Sequence, residues 1–278
     1  MKDSPLIITV APNGARKNKN DHAALPITPD EIAIEAKACM DAGASMLHLH
    51  VRDKNGAHTL DVGTYREAID AVRKAVGEEM IIQVTTEAVG IYTPEQQIEM
   101  MHQLRPEAAS VALKELTAAG EEKADDFYNW AHDQGVALQH ILYSPDEVVR
   151  LAYLAQNGMI PTENLSVLYV LGRYGDGISK PSDLPPFIDA AQKSDLNPKL
   201  WSVCAFGPKE DEVMLAAMKL GGHVRVGFEN NLYLKNGSLA PNNASLVSQV
   251  AKGAGLLYRS VCRAKQARTI MGVKSKAN

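Results

Sequence analysis

The sequence predicts an α/β fold, a TIM (β/α)8 barrel formed as a single domain over residues 1–278, and three observations lead there. Eight short apolar or β-branched runs alternate with amphipathic stretches of helical spacing from one end of the chain to the other. The length of 278 residues suits a barrel of about 250. The rival, a doubly wound open sheet, usually carries a loop with three glycines after its first strand. Here that place is Ala11-Pro12-Asn13-Gly14-Ala15, with one glycine.

Taken in order, the first strand is Leu6–Val10, and Thr28-Pro29-Asp30-Glu31 then sets a cap and a first-turn proline for a helix over Pro29–Asp41. Gly43 ends that helix, and the second strand follows at Ser45–His50. A helix over Thr64–Val76, ended by Gly77, leads to the third strand, Met80–Val84. Thr93-Pro94-Glu95 opens a helix over Pro94–Leu104, and the fourth strand is Ala109–Leu113. Gly135 precedes the fifth strand, Val136–Leu142, after which Ser144-Pro145-Asp146-Glu147 starts a helix through Asp146–Gln156. Strands at Ser166–Val170 and Leu200–Ala205, a helix at Asp211–Leu220 and a strand at Gly222–Gly227 complete the set. The tail Lys274-Ser275-Lys276-Ala277-Asn278 is expected to fray, and no internal repeat or low-complexity segment is found.

Composition excludes several classes of function. Lysine and arginine number 29 against 33 acidic residues, a formal charge of −4 with no basic block, which argues against nucleic acid or an anionic membrane as partner. No apolar run approaches the roughly 18–20 residues of a membrane span, and Met1-Lys2-Asp3-Ser4-Pro5 does not open a signal peptide. Three widely spaced cysteines, Cys39, Cys204 and Cys262, do not make a disulfide framework. The expectation is a cytoplasmic protein.

Chemistry concentrates in two segments. In Met46-Leu47-His48-Leu49-His50-Val51-Arg52, alternate residues share a face, so His48, His50 and Arg52 point toward the barrel axis at its C-terminal mouth. In His223-Val224-Arg225-Val226-Gly227-Phe228-Glu229 the same parity brings Glu229 to that mouth. Two imidazoles and one carboxylate suit a borderline divalent metal such as zinc and leave positions open for water or substrate. Hydrogen-bonded core histidines, and a Glu229 paired with Arg225 or Arg52, satisfy the spacing equally well.

With their surroundings these residues resemble the β-keto acid cleavage enzymes, the family around 3-keto-5-aminohexanoate cleavage enzyme. The resemblance runs through Ile8-Thr9-Val10-Ala11-Pro12-Asn13-Gly14-Ala15, Leu25-Pro26-Ile27-Thr28-Pro29 and Ala42-Gly43-Ala44. It continues in His48-Leu49-His50-Val51-Arg52-Asp53, Gly221 through Glu229, and Asn243-Ala244. It implies a TIM barrel, a homotetramer, and zinc on His48, His50 and Glu229. It also implies a reaction in which a β-keto acid and acetyl-CoA give acetoacetate and a new acyl-CoA. By the same resemblance Arg225 orients the substrate's acidic group beside the metal, Thr85 and Ser110 present hydroxyls to substrate, and Asn13 belongs to the substrate-binding loop.

The chain departs from the family at four places. Asn230 stands where the family has an aspartate that helps abstract a proton, and an amide is no general base. Ile141 falls where the fifth strand carries a glutamate, with Gln139 and His140 as the polar residues nearby. Glu87-Ala88 replace a pair of glycines after Thr86. Arg16 replaces an acid near the end of the first strand, which suits a keto acid with an anionic or polar tail, and Arg173 offers a second cation for that tail or for CoA phosphate. Two other readings stay open: a metal-dependent carbon–carbon lyase or aldolase that needs no acetyl-CoA, and a non-catalytic binder of keto acids.

Overall fold

Strands covered by helices outside and by one another's side chains inside are buried on both faces and read as nearly continuous apolar runs. The structure, a computed structural model, describes residues 4–175 and 177–273, so the tail expected to fray lies outside the described residues. Within them Ile8–Val10 (β1), Met46–Leu49 (β2), Ile81–Thr85 (β3), Ala108–Ala112 (β4), Ala137–Leu142 (β5), Ser166–Leu171 (β6), Leu200–Ala205 (β7) and His223–Val226 (β8) form a closed parallel barrel. Closure comes where β1 pairs with β8, Thr9 beside Arg225, and with β2, Val10 beside Leu47. The predicted fold class is therefore the observed one.

Around the ring run Pro29–Ala42 (α1), Val62–Val76 (α2), Pro94–Leu104 (α3), Glu121–Asp133 (α4), Pro145–Gln156 (α5), Pro185–Lys193 (α6), Glu210–Lys219 (α7) and Asn243–Leu256 (α8). The caps act as their residue types require. Thr28 accepts from the Glu31 N–H while Glu31 reaches back to the Thr28 N–H, and Thr93 with Gln96 repeats this box at α3. A last helix, Ala264–Met271 (α9), lies across the N-terminal end of the barrel.

Inside the barrel the side chains stack in three layers. Ile7, Met46, Ile81, Ala108 and Leu200 make an apolar floor on which Ala264, Ala267 and Met271 of α9 pack. Gln83, Ser110, Gln139, Ser166 and Ser202 form a polar middle layer, where Gln83 donates to Gln139 (3.3 Å) and Gln139 donates to the Ser166 and Ser202 hydroxyls (3.4 Å each). Ala112, Ile141, Leu168, Val170 and Cys204 line one side of the upper barrel.

Element ends differ from the sequence reading by a residue or two, with one consequence. The second strand stops at Leu49, and Val51–Arg52 swings out to pair antiparallel with His58–Thr59. Arg52 therefore does not line the axis with the two histidines. Its guanidinium donates to the carbonyls of Gly14, Gly56 and Lys17, a fork of donors tying three loop segments together. Leu113, expected at the end of the fourth strand, begins the helical turn Leu113–Leu116. No helix among the described residues is long and apolar enough to cross a membrane.

Candidate metal centre

Strand parity carries His48 inward from β2, and His50 follows just beyond the strand end. Glu229 arrives by a turn after β8. Gly227 at φ 139 leaves no room for a Cβ against the Ala11 carbonyl, and this close approach lets the Glu229 N–H donate to Ala11 O at 3.1 Å. Asn243 closes the same corner: its Oδ1 accepts from the Phe228 N–H (2.7 Å) and its Nδ2 donates to Pro12 O (3.2 Å).

The three side chains meet in a tight triangle. His48 Nε2 and His50 Nε2 lie 3.0 Å apart, and Glu229 Oε2 is 3.5 Å from the first and 3.3 Å from the second. Donors bound tetrahedrally at about 2.0–2.1 Å sit about 3.3–3.4 Å from one another, so the triangle has the size a zinc ion needs. Glu229 Oε2 is buried and has no hydrogen-bond partner, an orphan that a cation would satisfy. His48 donates Nδ1–H to Gln83 Oε1 at 2.9 Å, which leaves the Nε2 lone pair facing the triangle.

Charge agrees with geometry. Burial, helped by the Arg225 guanidinium, pushes His48 down to about 3, so its imidazole is neutral at physiological pH. Burial opposes ionisation of Glu229 as well, yet the Arg225 guanidinium holds its carboxyl well below the ordinary range. Arg225 Nη2 donates to Glu229 Oε1 at 2.8 Å and to Cys204 Sγ at 3.4 Å. A neutral imidazole and a carboxylate are the protonation states a divalent metal takes.

Above the triangle opens a cavity of about 700 Å³, lined by Arg16, Thr85, Glu87, Tyr174, Phe206 and Arg225 among others. His48, Glu229, Arg173 and Ile141 also reach it. Arg16 is exposed, its guanidinium 5.3 Å over the Tyr174 ring. The Thr85 hydroxyl accepts from the Glu87 N–H at 3.1 Å. Ser110 lies in mid-strand beside Thr85, fully buried, its hydroxyl without a partner. Asn13 sits behind the wall, donating to Pro26 O (3.0 Å) and His50 O (3.2 Å), with Oδ1 unpartnered. Asn230 is buried, its N–H on Gly227 O at 2.9 Å and both polar atoms of its amide unpartnered. His140 faces the helices, 5.2 Å from the Tyr128 ring of α4, and leaves Gln139 as the interior residue.

Three contributors were given no part in the metal site from sequence. Gln83 pairs in register with His48 and shares parity with Thr85, a signal that was legible. Glu87 and Tyr174 follow strand ends, where no period constrains the direction of a side chain. Tyr174 donates its hydroxyl to Glu229 O at 3.1 Å, and Lys17 donates to the same oxygen at 2.7 Å.

Known proteins resemble this chain over nearly its whole length. A sequence profile of the beta-keto acid cleavage enzymes matches residues 5–273. The 3-keto-5-aminohexanoate cleavage enzyme of Acetoanaerobium sticklandii is 32% identical over 275 residues, spanning 96% of this chain and 98% of its own. The 3-oxoadipate:acetyl-CoA acetyltransferase of Cupriavidus necator is 28% identical over 278 residues, spanning 98% and 96%. Among solved structures, the type I 3-dehydroquinate dehydratase of Clostridium difficile superposes with a TM-score of 0.61 at 13% identity, covering 94% of this chain and 95% of the other, a likeness of fold alone.

Proposed function

Because the chain belongs to the beta-keto acid cleavage enzyme family, we propose that it is a zinc-dependent enzyme that combines a β-keto acid with acetyl-CoA to give acetoacetate and a new acyl-CoA. The observation that carries this reading is the His48–His50–Glu229 triangle, sized for zinc, at the base of the 700 Å³ cavity.

In that reaction the bond between the substrate's keto carbon and its acidic carbon breaks. The acyl fragment leaves on CoA, and the two-carbon fragment leaves joined to the acetyl group. Bound zinc would supply a Lewis-acid charge for the substrate's keto oxygen and for the enolate that develops. Arg225 places a second positive charge at the same spot, held there by Glu229, and orients the acidic group. Thr85 supplies a hydroxyl on the cavity wall, and Ser110 holds an unpartnered hydroxyl in the layer beside it. Asn230 contributes an unpartnered amide that is free to hydrogen-bond to substrate and takes no proton. Asn13 acts on the wall by tethering the His50 carbonyl.

Arg16 sets the substrate tail. An exposed guanidinium stacked near Tyr174 suits a second carboxylate at the far end of the keto acid, as in the compound that names the Cupriavidus relative. The enzyme is further proposed to be a cytoplasmic homotetramer, which size-exclusion chromatography with light scattering checks.

The test is purified protein with measured zinc content, offered a panel of β-keto acids with and without acetyl-CoA. Acetoacetate formed only with acetyl-CoA, and dicarboxylic keto acids preferred over cationic ones, is the expected result. Cleavage without acetyl-CoA would move the reading to a simple lyase, and turnover unaffected by zinc removal would overturn it.

A further inference from the structure

We infer that Glu87 is a positioning residue of the metal centre: its carboxylate receives the Nδ1–H of His50 and so fixes which nitrogen of that ring faces the metal. The inference rests on the metal reading above and extends it to a residue that has no role there.

His50 Nδ1 is buried and has no hydrogen-bond partner. Glu87 Oε2 lies 3.8 Å away, at ion-pair distance, and the approach needed to reach a hydrogen bond of about 2.8 Å is near 1 Å. The backbone beneath that carboxylate is anchored. The Glu87 N–H donates to Thr85 Oγ1, its carbonyl takes His58 Nε2–H at 2.9 Å, and the next N–H, of Ala88, donates to Glu115 Oε2 at 3.2 Å. The His58 ring, 5.3 Å from that of His50, flanks the ligand on one side. The other carboxylates of the cavity are committed elsewhere. Glu229 is held by Arg225, Glu115 by Ala88 and Gln97, and Glu147 by the Tyr143 N–H.

The two histidines thus acquire unequal partners. His48 has the neutral amide of Gln83, and His50 has an anion. A carboxylate behind a ligating imidazole fixes its tautomer and strengthens it as a donor, and losing such a partner weakens metal binding about 10–100-fold.

Zinc affinity by chelator competition, and the visible spectrum of the cobalt-substituted protein, are measured for the wild-type chain, Glu87→Ala and Glu87→Gln. Glu87→Ala is expected to bind zinc at least tenfold more weakly and to shift the cobalt bands. Glu87→Gln, which keeps an acceptor oxygen without the charge, is expected to fall between the two, and it serves alone if the alanine variant fails to fold. Variants that match the wild type in affinity and spectrum overturn this inference and leave the proposed function standing. A wild-type chain that takes up no zinc overturns both.

Discussion

Residue 14 shows how far the place of a candidate metal ligand, Glu229, is set by a residue outside the His48–His50–Glu229 group. Gly14 has φ +62, and a Cβ there would lie 2.5 Å from Glu229 Cγ and 3.0 Å from the Tyr174 hydroxyl. Gly14→Ala therefore meets two obstacles, a left-handed backbone that costs an L residue about 1–2 kcal/mol and a clash that can be relieved only by moving Glu229. Zinc affinity is expected to fall at least tenfold, with a stability loss of about 1–3 kcal/mol in urea. A variant that binds zinc like the wild type would show that Glu229 is not held against Gly14. Of the three candidate ligands, strand parity aims only His48; His50 and Glu229 lie past the ends of their strands and were legible through the family resemblance. The need for glycine at 14 was not, since it comes from contact with a residue at the other end of the chain. Glu87 was noted only as a replacement for a glycine; its place beside His50 was not foreseen because it sits where the strand period has ended.

At the level of elements, α7 sets two electrostatic effects against each other. Glu210 is its first residue, where the helix dipole favours a carboxylate by about 0.3–1 kcal/mol. It is also almost wholly buried, and burial shifts a carboxyl by up to about 3–5 pKa units. Burial wins, and although Asn231 donates to Oε2 at 3.1 Å, Glu210 is raised to about 8 from an ordinary 4.5. The folded state then binds the proton more tightly than the unfolded state. Glu210 costs no stability below about 4.5, and the cost grows as pH rises toward about 8 and is complete above it. Glu210→Gln is expected to flatten the fall in melting temperature between pH 6 and pH 9 and to be the more stable protein at pH 9. Equal slopes for the two proteins would refute the protonated state. The sequence reading began this helix at Asp211 and left Glu210 just outside it. The capped starts of α1, α3 and α5 were readable because their partners lie within four residues. The ribbon of Val51–Arg52 with His58–Thr59 was not, because Arg52 is drawn out of the barrel by carbonyls of the loop around Gly14.

For the whole molecule, the alternation of eight strands with helices pointed to a barrel once the chain length and the single glycine after the first strand had set aside a doubly wound sheet. The stopper at its N-terminal end was harder to see: α9 buries Ala264, Ala267 and Met271 on the floor with Ile270 partly buried beside them, too few apolar residues to stand out as a barrel helix. That floor and the candidate metal centre are separated by the Gln83–Gln139–Ser166 layer, and the separation is open to test. Met271 is 4% exposed and fills the floor against side chains that include Ile7, Met46 and Leu200. Met271→Ala leaves a void that nearby side chains fill only in part, so it is expected to cost about 2–5 kcal/mol in urea unfolding. Zinc affinity is expected to stay within threefold of the wild type, because the hydrogen-bonded middle layer keeps Gln83, and through it His48, in register with β2. Loss of zinc in step with loss of stability would mean that the floor holds the mouth in place. Full stability in the variant would mean that α9 does not plug the barrel.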